Sequence, residues 1–171
     1  MPLFAPRTMP EKAWARAAAL YAVGATEPAP AVPTPELLNA KIVSVHDGDT
    51  INVIAKVPGR NEYIGTADKP QPIRLLGCNA YELRATAPDG SKPGQAAQAY
   101  LAGLLPVGAD VVLATIDDDK YAPRWDASVS FVYGGIVVDL VGLLIAQQYA
   151  APWDGRGSAP LPVWPRTVPA A

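Results

Sequence analysis

The sequence predicts an α+β fold in which a small closed or partly closed β-barrel carries two helices. Five or six short runs of β-branched and aromatic residues alternate with turn residues, which is typical of barrel strands. One helical pattern interrupts these runs, and a second follows them. The chain has 171 residues, which is enough for one domain with a sizeable core and additional tails.

The first 37 residues are expected to form an arm outside the barrel. Residues 1–9 show no regular pattern, whereas Pro10 and the acid after it open a helix that ends near Gly24. This helix is amphipathic, so we expect it to dock on its own domain or on a partner. Residues 25–35 are rich in proline and predict a semi-rigid spacer.

The compact domain is predicted to begin near residue 38. An Asp-Gly turn at residues 47–50 joins two strands, and a polar connection over residues 58–72 leads to a third. These strands are predicted over residues 41–46, 51–57 and 73–78.

The second half of the domain is predicted to contain both helices. A helix over residues 95–105 ends at Pro106, and Asp139 caps another over residues 140–148. Three strands lie between them, over residues 110–116, 125–133 and 136–138. The domain is assigned to residues 38–157, and residues 158–171 are assigned to a proline-rich tail. A small number of short strands with one inserted and one appended helix favours an OB-fold-like, five-stranded barrel. The binding face and loops of this fold suit nucleic acids.

Composition excludes several classes of protein. The net charge of −2 argues against a tight or processive DNA binder, because phosphate neutralisation supplies most non-specific affinity. The single cysteine, Cys78, allows no internal disulfide, and the single histidine, His46, excludes a histidine-cluster zinc site. Neither a signal peptide nor a membrane span is expected. An intracellular protein, or a component of a particle assembled in a cell, fits best.

Two stretches place oxygen ligands directly beside predicted strands. Asp47 and Asp49 flank a glycine between the first two strands, and Asn79 and Glu82 follow the third. Carboxylate and amide oxygens suit Ca²⁺ or Mg²⁺ rather than zinc. Arg74 is the only charge within the third strand, and its planar fork suits a phosphate group. The chemistry indicated is metal-assisted attack on a phosphodiester.

A third stretch, Asp-Asp-Asp-Lys-Tyr-Ala-Pro-Arg over residues 117–124, lies between the fourth and fifth strands. The three stretches read Asp-Gly-Asp-Thr, then Arg-Leu-Leu-Gly-x-Asn-Ala-x-Glu, then Asp-Lys-Tyr-x-x-Arg. Their order and spacing resemble the staphylococcal nuclease-like (thermonuclease) family over roughly residues 39–157.

The resemblance implies a role for each matching residue. Asp49, Asn79 and the backbone carbonyl of Ala80 match ligands of Ca²⁺, with Asp47 nearby through water. Glu82 matches the residue that orients or activates the attacking water. Arg74 and Arg124 match the two arginines that bind the phosphate. Tyr121 and Lys120 match residues that contact the nucleotide substrate.

Three positions depart from the family pattern. Asn79 stands where an aspartate is best known, which removes one negative charge from the metal site. Tyr81 stands where proline is usual, which loosens the loop that aims Glu82. Ala122 and Pro123 make the segment before Arg124 one residue longer than the common one.

Two functions are therefore weighed. The first is a calcium-dependent nuclease, an endonuclease of the thermonuclease type that hydrolyses DNA or RNA. The second is a nuclease-like barrel used as a structural or binding module, for example a virion component of a bacteriophage. The near-neutral charge and the proline-rich arms, which could bind protein partners, favour the second. Retention of Asp49, Arg74, Glu82 and Arg124 favours the first.

Overall fold

A computed structural model of the chain describes residues 37–57, 59–118 and 123–168. The predicted arm helix and spacer, and the residues Lys120 and Tyr121, lie outside this described part. Within it the strands are β1 Leu38–Val45, β2 Thr50–Lys56, β3 Tyr63–Ile64, β4 Gln71–Leu75, β5 Cys78–Ala80, β6 Asp110–Asp118, β7 Trp125–Tyr133, β8 Ile136–Asp139 and β9 Ala150–Pro152. The helices are α1 Pro93–Leu104 and α2 Leu140–Ala146.

Five of these strands close into a barrel, which confirms the predicted barrel with helices. The circuit runs β1–β6–β7–β4–β2 and returns to β1. Its pairings are antiparallel except between β4 and β7, where Ile73 lies opposite Trp125 in a parallel register. β3 extends β2, β8 extends β7, and β5 pairs with β9 in a separate ribbon.

The core lies inside the barrel, because alternate residues of each strand point inward. In β2, Ile51, Val53 and Ala55 are fully buried while the residues between them are partly exposed. Two helices close the core with Leu101 from α1 and Leu144 from α2. Asp139 caps α2 as predicted, since its carboxylate accepts a hydrogen bond from the Gly142 amide at 3.0 Å.

The predicted third strand, residues 73–78, is in fact two strands in different sheets. Gly77 lies between β4 and β5 with φ of +102°, a left-handed conformation that glycine adopts without steric cost. The turn moves Asn79 from the expected loop onto β5, where it lies opposite Ala151 of β9. The β9 strand itself was not predicted.

The segment after β9 lies against the barrel. Val168 is the last described residue, and several residues before it contact β5, α2 and the loop before α1. The described residues of this segment thus pack in the same compact unit as the barrel. Neither α1 nor α2 is long and apolar enough to cross a membrane, and no other helix occurs in the described part.

Candidate functional site

The Asp-Gly turn between β1 and β2 aims Asp49 into the protein. The His46 and Asp47 amides both donate to the Thr50 carbonyl, at 2.9 and 3.3 Å, and the Asp49 amide donates to the Asp47 carboxylate at 3.1 Å. A Cβ on Gly48 would lie 2.7 Å from the Ala97 Cβ and 2.8 Å from that of Ala80. The turn is therefore pressed against both α1 and β5, and only glycine fits at its centre.

Asp49 is a buried carboxylate with partners for both oxygens. Its Oδ2 accepts a 2.7 Å hydrogen bond from the Ala80 amide and lies 3.1 Å from Arg74 Nη2. Its Oδ1 accepts a 3.2 Å hydrogen bond from the Thr50 hydroxyl. Burial raises the pKa of Asp49 from 3.8 to about 6, and the positive charge of Arg74 opposes that rise.

Arg74 joins three segments of the chain. It lies opposite Thr50 in the β2–β4 pairing, which places it beside the turn that carries Asp49. Besides Asp49, its Nη2 donates to Asn79 Oδ1 at 3.0 Å and to the Cys78 carbonyl at 3.4 Å. The guanidinium is mostly buried and lies 5.6 Å from the ring centroid of Trp153, a cation–π contact. One cation thus gathers oxygens from the Asp49 turn and from β5.

Asn79 is held from two sides. Its amide oxygen accepts from Arg74, and its amide nitrogen donates to the Pro160 carbonyl at 2.9 Å. These two bonds fix the direction of the side chain and show which end of its amide is the oxygen and which is the nitrogen. Cys78 beside it is buried, and burial raises the pKa of its thiol to about 12.

Glu82 lies two residues beyond β5, on the loop that leads to α1, and its side chain is exposed. The backbone of this loop is fixed at Glu82, whose carbonyl accepts from the Ala85 amide at 2.9 Å. The start of α1 presses on the same carbonyl, because a Cβ on Gly94 would lie 2.1 Å from it. The Glu82 backbone is therefore anchored while its carboxylate faces solvent.

Arg124 directly precedes β7, the strand that pairs with the strand of Arg74, β4. The Gln71 side-chain amide donates to the Pro123 carbonyl at 2.6 Å, which ties this longer segment to β4. Arg124 is partly buried and has interactions of its own. The structure therefore brings Asp47, Asp49, Arg74, Asn79 and Ala80 into one cluster, with Glu82 on the adjoining loop and Arg124 just before the neighbouring strand β7.

The side-chain oxygen atoms of the cluster are of the type that binds a hard cation. Asp49, Asp47 and Asn79 supply only oxygens, the ligand class of Ca²⁺. No group of three or more His, Cys, Asp or Glu side chains in the described ranges is arranged to hold a metal, so an amide or carbonyl oxygen must complete such a set. Arg74 uses the same Asp49 and Asn79 oxygens, and would share them with any bound cation.

Two residues that contact the cluster were not predicted as site residues from the sequence. Trp153 covers the Arg74 guanidinium, and Pro160 provides the carbonyl that binds Asn79. The available signal was composition, because Trp153 and Trp164 are large aromatic residues in a segment otherwise made mainly of small residues and proline. Neither a protein-family model nor a curated protein matches the chain. The chemistry of the site must therefore be argued from its own residues.

Proposed function

We propose that this chain is a metal-dependent phosphodiesterase of the thermonuclease type, which hydrolyses DNA or RNA. The observation that supports it most is the meeting of Asp49, Arg74 and Asn79 at one edge of a closed barrel. A buried carboxylate, a guanidinium and an amide drawn from separate segments form a polar cluster in a chain whose core is otherwise apolar. Such clusters are typical of functional sites.

In this proposal each residue has one task. Asp49, Asp47, Asn79 and the Ala80 carbonyl would hold Ca²⁺, which when bound supplies a Lewis acid for a phosphoryl oxygen. Glu82, whose carboxylate is exposed to solvent, would accept the proton of the attacking water. The matched phosphate and nucleotide residues complete the set: Arg74 and Arg124 would bind the phosphate and stabilise its developing charge, and Lys120 and Tyr121 would contact the nucleotide.

A second candidate is a nuclease-like module that binds other proteins, for instance as a structural component of a phage particle. The β7–β8 hairpin favours it, because four large apolar side chains project from it into solvent. Val132, Tyr133, Ile136 and Val137 are each 67–72% exposed. Exposed apolar clusters of this kind are typical of protein-binding surfaces.

Digestion of plasmid DNA and of RNA in the presence of Ca²⁺, Mg²⁺ or chelator tests the proposal. We expect cleavage that requires the metal and falls ~100-fold or more in Glu82→Gln, because the variant lacks a positioned proton acceptor. Glu62→Gln is the matched control, since Glu62 is also exposed and its 3.7 Å ion pair with Arg60 lies on the β2–β3 connection. No cleavage under any condition would favour the protein-binding module instead.

A further inference from the structure

The segment after β9, residues 153–168, is here named the C-terminal strap. It leaves the β5–β9 ribbon, passes the Asp49–Arg74–Asn79 cluster and ends against α2. Two of its residues touch the cluster: the Trp153 ring lies over Arg74, and the Pro160 carbonyl accepts the Asn79 amide at 2.9 Å. The strap contributes an indole face and a neutral carbonyl at these contacts, and no charged group.

Both contacts use groups that a phosphodiester would need. The guanidinium of Arg74 is the cation of the cluster, and Trp153 lies across its face. Asn79 has its oxygen engaged by Arg74 and its nitrogen by Pro160. A nucleic-acid strand that reached these two side chains would have to take the place of Trp153 and Pro160.

The strap is anchored beyond the cluster at two points. Trp164 donates to the Ser91 hydroxyl at 2.6 Å and meets the Tyr81 ring edge-on, with centroids 6.5 Å apart. Arg166 stacks 4.1 Å from the Tyr149 ring centroid and donates to the Gln147 carbonyl at 3.1 Å.

Between these anchors and the cluster the strap is held loosely. Pro162 is buried, but its neighbours Leu161 and Val163 are 54% and 62% exposed. Few side chains therefore bind the strap to the barrel along this stretch. Pro160 and Pro162 also lack a backbone N–H, so neither can donate a hydrogen bond that would fix the strap there.

We propose that the C-terminal strap is a built-in competitor that covers the cluster and leaves when a nucleic-acid strand binds. This proposal rests on the proposed nuclease function. Only molecules in which the strap is open then bind substrate, so the apparent Kd equals the intrinsic Kd divided by the open fraction. Variants that loosen the anchors should increase that fraction without touching the cluster.

The test uses the full chain and two anchor variants. Trp164→Ala removes the contacts to Ser91 and Tyr81, whereas Arg166→Lys keeps the positive charge and loses the planar stacking on Tyr149. Val163→Ala, at an exposed position of the same strap, is the matched control. Thermal melts establish that each variant is folded at the assay temperature.

We expect both anchor variants to lower KM for a single-stranded oligonucleotide by about tenfold with unchanged kcat, because only binding competes with the strap. Anisotropy of a labelled oligonucleotide should show the same gain in affinity, and Val163→Ala should match the parent. Equal KM in all proteins, or a KM raised in Trp164→Ala, would overturn the competitor role while leaving the nuclease intact. Absence of both cleavage and binding in every protein would overturn the proposed function, and the competitor role with it.

Discussion

At the residue scale the cluster depends on one buried ion pair. The side chains of Asp49 and Arg74 are 5% and 15% exposed, so both charges have lost most of their hydration. Their attraction offsets that loss only in part, which is why burial still raises the pKa of Asp49. The ionised carboxylate is thus held at a cost in stability.

The raised pKa predicts how stability changes with pH. The folded state releases the Asp49 proton near pH 6 and the unfolded state near 3.8, so stability falls as pH rises through this window. Asparagine cannot ionise, so the free energy of unfolding of Asp49→Asn should not fall in this way. Relative to the parent, we expect it to rise by up to roughly 3 kcal/mol between pH 4 and pH 7. Urea unfolding at several pH values measures this, and any pH-independent difference between the asparagine and the protonated Asp49 cancels in the change with pH. Parallel curves for the two proteins would contradict it.

In the proposed calcium site, Asn79 should set the affinity for the cation. In Asn79→Asp a further full charge joins those of Asp47 and Asp49, and the amide that donates to Pro160 is lost. Both changes favour a bound cation, so we expect Ca²⁺ affinity to rise roughly tenfold or more, measured by calorimetry. Asn61→Asp adds the same charge on the exposed β2–β3 connection and should leave the affinity unchanged. If Ca²⁺ binds neither parent nor Asn79→Asp, the cluster is not a calcium site.

At the element scale, close packing of small residues holds the cluster in place. Gly48 of the turn meets Ala80 of β5 and Ala97 of α1, and none of the three has a side chain larger than a methyl group. This contact sets how near the Asp49 turn can approach β5. The 2.7 Å hydrogen bond from the Ala80 amide to Asp49 depends on that approach.

Two glycines test this packing with opposite outcomes. Gly48→Ala introduces a Cβ against two methyl groups less than 3 Å away, so we expect about 1–3 kcal/mol of destabilisation. Gly103→Ala lies in α1 with no atom within 4 Å of the new Cβ, so we expect up to about 1 kcal/mol of stabilisation. Denaturant unfolding of the two variants gives both values. Equal effects would show that the close contact at Gly48 is not constraining.

Sequence patterns predicted the long elements better than the short ones. The β7 strand and α2, with its Asp139 cap, follow directly from periodicity and capping chemistry. The division of β4 from β5 depends instead on the backbone at Gly77, which the apolar run around it conceals. β9 is three residues long and finds its partner about seventy residues away, so no local pattern predicts it.

At the scale of the whole molecule, the C-terminal strap belongs to the folded unit. Its contacts reach β5, the loop before α1, and α2, so it links parts of the domain that are distant in sequence. The cluster could be predicted because its polar residues lie in short motifs. The strap residues that cover it, Trp153 and Pro160, could not be predicted, because only tertiary contacts bring them to the cluster.

Removing the part of the strap that follows Gly157 should weaken the domain without unfolding it. A chain that ends at Gly157 loses four hydrogen-bonded contacts, made by Pro160, Trp164, Arg166 and Thr167. At roughly 0.5–1.5 kcal/mol each, we expect a loss of about 2–6 kcal/mol and a single cooperative transition. Calorimetry measures both quantities. An unchanged Tm would mean that the strap contributes nothing to the stability of the barrel.

The buried thiol of Cys78 also provides an internal probe of local unfolding at β5. It is the only cysteine among 171 residues, and its side chain is 1% exposed on β5, next to Asn79. Thiol reagents react with an accessible thiolate, so labelling occurs only through rare conformations that expose this strand. The labelling rate therefore measures how often the ribbon beneath the cluster opens, independently of any substrate. Comparing that rate with the rate of global unfolding separates breathing of the ribbon from loss of the barrel.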